Sequence, residues 1–227
     1  MRGRPWLLLL VVMSGCSGLQ ESEAGVVGIQ VSVPGPDTVE VGEAIQLSVK
    51  PLDKNGDSVA APVTWLSADA SATIDAAGVL TGVSPGTARV QASVGSLGSG
   101  LITFEVVAPA DSLVVPGDSV LTVPAGTATG PGMIIRLDSF HPAGALPGRR
   151  VVYAITSPDP AVVPPTVLFS GNTLADTVVT GSDGTATAAL AVAGTPPDTV
   201  IVDVRAKRTR GAEVPGSGQR FIVLFQH

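Results

Sequence analysis

The stretch Ala77-Gly78-Val79-Leu80-Thr81-Gly82-Val83-Ser84-Pro85-Gly86-Thr87-Ala88-Arg89-Val90-Gln91-Ala92-Ser93-Val94 decides the fold. Ala88, Val90, Ala92 and Val94 alternate with Arg89, Gln91 and Ser93, the period of a strand that hides one row and wets the other. Ser84-Pro85-Gly86 breaks the chain before that run, and Gly78 breaks it before Val79 and Leu80. The same grammar extends upstream. Ile45, Leu47 and Val49 alternate with Gln46 and Ser48, and Ile29, Val31 and Val33 with Gln30 and Ser32. Pro34-Gly35-Pro36, Gly42-Glu43 and Asp53-Lys54-Asn55-Gly56-Asp57 supply the turns, with Gly56 where a positive φ is needed. Val63-Thr64-Trp65 reads as a middle strand with Trp65 on the face of Val63, and Ile102, Phe104 and Val106 close the set.

Beyond a short linker at Ala108-Pro109-Ala110-Asp111 the pattern restarts. Val120 to Val123, Met133 to Leu137, Val151 to Ile155, Val200 to Ala206 and Phe221 to Phe225 are strand candidates. Pro158 to Pro165 is too rich in proline for a central strand. Asp183-Gly184 reads as a hairpin turn. No window after the N-terminus has helical spacing. Short strands at regular intervals with turns between them read as an all-β sandwich or barrel. The 227 residues fit two domains of about 100 each, at 28–107 and 112–227, with 108–111 between them.

The N-terminus follows a different rule. Arg2 and Arg4 precede the apolar run Trp6 to Val12, and Met13-Ser14-Gly15-Cys16 follows it. This is the layout of a secretory signal peptide over residues 1–15, too short for the ~20 residues of a membrane-spanning helix. Residues 16–27 then read as a flexible tether. The ending at Cys16, the sole cysteine, resembles the lipobox of bacterial lipoproteins, although Met13 stands where Leu is more usual. The resemblance implies a thioether-linked lipid on Cys16. The alternative is an ordinary signal cut nearby, with Cys16 a free thiol.

A second resemblance covers most of 28–107. Val39-Glu40-Val41-Gly42-Glu43, Ile45-Gln46-Leu47, Val63-Thr64-Trp65-Leu66-Ser67, Ala77 to Val83 and Pro85-Gly86-Thr87-Ala88 resemble, in order and spacing, a bacterial immunoglobulin-like domain of group 2. This implies a β-sandwich of the kind carried by adhesins and other exported surface proteins. Trp65 would then be a core plug; the open alternative is a ligand platform. Residues 112–227 are similar to the invasin/intimin group through Pro147 to Tyr153, Thr180 to Thr187 and Val202 to Ala206, a looser match. The fold expectation is therefore all-β: two tandem immunoglobulin-like β-sandwiches after a lipoprotein signal peptide.

Composition narrows the function. The net charge is −6, and loss of Arg2 and Arg4 takes it to about −8, so nucleic acid is not an expected partner. Membrane contact is expected through Cys16 alone. One cysteine cannot form an internal disulfide. His141 sits in a Pro/Gly loop and His227 is terminal, too little for a zinc site or a serine triad. No phosphate-binding glycine motif is present. The Asp53–Asp57 turn has its Gly too early for an EF-hand and no following Glu, leaving at most a weak calcium site. Lys207-Arg208-Thr209-Arg210, before Gly211, reads as the charged tip of a hairpin: either a solubilising edge charge or a patch for an acidic partner. The expectation is a non-enzymatic, lipid-anchored envelope protein without cofactor or metal. It acts as a surface spacer or adhesion module in the outer membrane or at the cell surface. The alternative is a periplasm-facing accessory or binding subunit of an envelope complex.

Overall fold

The computed structural model describes residues 25–159 and 165–227, and its regular elements are all strands. Residues 1–24 lie outside the described residues, and with them the signal sequence, Cys16 and most of the tether.

The first set of strands is β1 (Gly28–Ser32), β2 (Thr38–Glu40), β3 (Ala44–Gln46), β4 (Ser48–Leu52), β5 (Thr64–Ser67), β6 (Ala72–Ile74), β7 (Val79–Gly82), β8 (Gly86–Val94), β9 (Leu97–Gly98) and β10 (Ile102–Val107). One sheet has the order β2-β10-β8-β5, with β9 added to β8. Strand β2 runs parallel to β10, placing Val39 opposite Val106. The facing layer contains the pairs β1-β4 and β3-β7-β6. Strands β3 and β4 are one run interrupted at Leu47, whose N–H donates to Gly78 O at 2.9 Å. The alternation of β8 does what its sequence asks: Ala88, Val90, Ala92 and Val94 are all buried. Ala88 and Val90 meet Val39, Leu47, Leu80, Phe104 and Val106 between the layers.

Trp65 sits differently from its expected place. Strand β5 pairs only with β8 among the described residues, so it is an edge strand. Trp65 is half-buried and packs on a core whose centre Phe104, Leu47 and Leu80 fill. The ring lies over Gly78, where an added Cβ would stand 3.0 Å from Trp65 Nε1. Gly78, at φ +82°, thus makes the turn and leaves room for the indole.

The second set is β11 (Ser112–Val114), β12 (Val120–Val123), β13 (Met133–Phe140), β14 (Ala143–Ala145), β15 (Arg150–Ser157), β16 (Val167–Leu168), β17 (Ala175–Val179), β18 (Thr185–Ala188), β19 (Ala191–Val192), β20 (Thr199–Ala206) and β21 (Gln219–Phe225). One sheet has the order β12-β21-β20-β15-β17, again with a parallel first pair. The facing sheet is built on β13, which pairs with β11, β14 and β18. Tyr153 on β15 fills the space between them. Its ring is buried, 6.5 Å from that of Phe169, and its hydroxyl donates to Ala186 O on β18 at 2.7 Å. That bond joins the two sheets, and burial pushes the phenol pKa above its ordinary value.

Asp183-Gly184 is a turn, but it does not close a hairpin. Strand β17 belongs to the β15 sheet and β18 pairs with β13, so the turn carries the chain from one sheet to the other. The Asp183 carboxylate accepts Thr185 N–H at 3.0 Å. Gly184 has φ +74°, and a Cβ there would come within 2.6 Å of Leu137 O. The glycine is needed because the turn is pressed against the facing sheet.

Candidate functional site

Strand β2 ends at Glu40, next to Val39 in sequence and opposite in facing. In an isolated sandwich alternation would put Val39 inward and Glu40 in water. Both are fully buried. The cover comes from the second set of strands. One Glu40 carboxylate oxygen lies 3.2 Å from Arg149 Nη1 and accepts Thr209 N–H at 3.2 Å. The other accepts Ala110 N–H at 3.2 Å and lies 3.7 Å from Arg208 Nε. A buried carboxylate is tolerated only when paired and hydrogen-bonded in this way.

The surroundings reinforce the contact. Arg149 also donates to Ala108 O at 2.6 Å, and Arg208 bridges to Asp111 at 3.2 Å. Arg210 donates to Pro36 O at 2.6 Å and to Pro34 O, and its Nε lies 3.9 Å from Glu43. Glu43 in turn accepts Glu40 N–H at 3.0 Å. The segment 108–111 is not a loose connector: Pro109 and Ala110 are buried within this joint. The Lys207–Arg210 tip therefore clamps one sandwich to the other through Arg208 and Arg210, where the sequence favoured a solvated hairpin end.

The other sequence candidates are scattered. His141 is exposed at the β13–β14 turn, and His227 Nε2 lies 3.0 Å from Asp198 at the far end of β21. Asp53 accepts the N–H groups of Asn55 at 2.8 Å and Asp57 at 2.9 Å, and these bonds hold its carboxyl below the usual range. On the first sandwich Arg89 grips Asp69 with two side-chain bonds at 2.9 and 2.8 Å, which lowers that carboxyl to about 2. No group of three or more His, Cys, Asp or Glu among the described residues is placed to hold a metal ion. An apolar pocket of about 210 Å³ opens at the pole away from the joint, between Ile155, Val167, Leu174 and Val200. No titratable side chain among the described residues lines it.

Sequence reasoning missed Glu40, the centre of the joint. It reads as a solvent-facing residue between Val39 and Val41, and its partner Thr209 is 169 positions away.

Comparison with known proteins adds one assignment. Residues 28–104 match the family described as bacterial Ig-like domain (group 2). No curated protein matches the chain. Similar solved structures include domains 4 and 5 of the S-layer protein SbsC, at 15% identity, 90% coverage of this chain, 100% of that one and TM-score 0.32. The Yersinia pseudotuberculosis adhesin InvE is 14% identical over 91% of this chain and 62% of that one, with TM-score 0.35. The Clostridium thermocellum CbhA fibronectin(III)-like modules are 16% identical over 87% and 94%, with TM-score 0.37. Scores this low carry no argument about role. The two-layer strand arrangement and the parallel β2–β10 pair are in keeping with the family match, which makes residues 28–104 similar to a bacterial Ig-like domain of group 2.

Proposed function

We propose that this chain is a lipid-anchored cell-envelope protein whose two Ig-like units, 28–107 and 112–227, form a stiff spacer presenting an interaction surface. Cys16 carries the lipid, and the tether 17–27 lets the first unit clear the membrane. The observation that carries the spacer reading is the joint around Glu40. A swivelling linker would leave 108–111 exposed, whereas here it is packed and the hairpin tip of one unit grips the other. The longest strand of the first unit, the nine residues of β8, spans about 30 Å. Two such units joined at their poles hold the far end well beyond the reach of a bare tether.

Two measurements test this reading. Cys16→Ser is expected to leave the membrane fraction or to stall unprocessed, because stable retention needs more than one acyl chain. A cleaved Ser variant that stays membrane-bound overturns the anchor. Intact-cell proteolysis with mass spectrometry is expected to release peptides of both units. Peptides recovered only after the envelope is opened would place the chain on the periplasmic side, as a subunit of an envelope complex.

A further inference from the structure

The outer face of the second unit carries a cationic groove that the joint does not use. Strands β15 and β20 pair antiparallel, with Val152 opposite Arg205 and Val151 opposite Ala206. Val151, Tyr153, Val204 and Ala206 point into the core. Alternation therefore sends Arg150, Val152, Arg205 and Lys207 outward, and all four are exposed. With Thr177 they line a groove of about 570 Å³ that ends at the joint residues Arg149 and Arg208.

Three features set these cations apart. First, they are unneutralised. Arg136, Arg149, Arg208, Arg210 and Arg220 each have an ion pair, whereas Arg150, Arg205 and Lys207 have none among the described residues. Glu213 lies across the hairpin from Lys207 without forming one, and Asp203, two residues before Arg205, is held by Arg220. Three like charges on a chain of net −6 repel one another locally for no internal return. Second, edge protection does not explain them. Lysines commonly guard the outermost strand of a sheet, but β15 and β20 are interior in the order β12-β21-β20-β15-β17. Third, their spacing has a repeat. Arg205 and Lys207 are two residues apart on one face, about 7 Å along the strand. Arg150 faces Lys207 across the pair, about 5 Å away.

An extended peptide presents alternate side chains at the same interval of about 7 Å. Beside the cations, Val152 opposite Arg205 and Val179 opposite Arg150 on the outer strand β17 are 41% and 56% exposed, room for an aliphatic side chain. No aromatic ring lies on this face for a sugar to stack on: Tyr153, Phe169, Phe221 and Phe225 are buried. We propose that this groove docks an extended acidic segment of a partner protein, with one carboxylate meeting Arg205 and the next alternate one meeting Arg150 and Lys207 together. This deepens the interaction-module reading above, but its test uses purified protein and is independent of anchoring or of which side of the envelope the chain faces.

The test is fluorescence anisotropy with the purified full chain and a labelled alternating Glu-Val peptide. Saturable binding is expected at low salt, weakening several-fold as ionic strength rises past about 0.1 M, because the contacts are exposed charges. The combined Arg150→Gln, Arg205→Gln, Lys207→Gln variant is expected to lose at least about tenfold in affinity, with an unchanged melting temperature. Restoring charge with Arg150→Lys and Arg205→Lys beside the native Lys207 is expected to recover most of the binding. Equal binding by the glutamine variant overturns the proposal, as does no binding at low salt. Tighter binding of a sulfated polysaccharide than of the peptide overturns it in favour of a glycan.

Discussion

Glu40→Ala is the sharpest perturbation this structure offers. Glu40 is fully buried, and its carboxylate is the common partner of Arg149, Arg208 and the N–H groups of Ala110 and Thr209. Removing it leaves Arg149, with its side chain only 16% exposed, and Arg208, at 29%, facing each other across a cavity. The buried Ala110 N–H and the partly buried Thr209 N–H lose their acceptor as well. Breaking a buried pair from one side typically costs about 3–5 kcal/mol, chiefly because the remaining charge cannot rehydrate. That is comparable to a third of the ~5–15 kcal/mol that stabilises an ordinary domain. The loss falls on the joint and not on either core, so its signature is specific. Calorimetry of the unaltered chain is expected to show coupled melting of the two units, and the alanine variant two separated transitions. Glu40→Gln keeps the shape and one acceptor, and should fall between them. A Glu40→Ala chain that melts as one transition within about 1 kcal/mol of the original would refute the reasoning.

Two further outcomes follow from the cores. Trp65→Ala should cost about 2–3 kcal/mol, below the range for a fully buried aromatic, because the ring is half-buried on an edge strand; denaturant titration measures it, and an unchanged midpoint with a lost binding activity would make Trp65 a ligand platform instead. Tyr153 is the sole tyrosine, so its titration can be followed directly. Burial raises its pKa in the folded state, so the stability it contributes is complete below about pH 10 and is lost as pH climbs through and above that value. Absorbance near 295 nm should show no phenolate until the fold opens, and a smooth ionisation with an ordinary midpoint in the native protein would contradict that placement.

The parts of the fold governed by local rules were legible in the sequence. Period-two runs such as 88–94 became buried rows, and Gly56 and Gly78 took the positive φ their turns needed. What escaped were features that depend on which strand neighbours which. Trp65 looked central because its neighbours alternate, but alternation says nothing about sheet order, and β5 ended at the edge. Asp183-Gly184 has hairpin chemistry, yet the next strand crossed to the facing sheet. Glu40 and the Lys207–Arg210 tip carry ordinary surface signals. Only the folded chain, bringing residues 169 positions apart into contact, turns them into a joint. The lipidation reading of Cys16 stands on the N-terminal pattern alone.

The central claim is that the two β-sandwich units are held in one fixed arrangement. Spin labels introduced at Ser96 and Ser182, exposed residues on the first and second units, report it through dipolar distance measurement in a Cys16→Ser background. The account predicts one narrow distance distribution that broadens in Glu40→Ala. A broad distribution in the unaltered joint would contradict it, and the pair would then be two beads on a string.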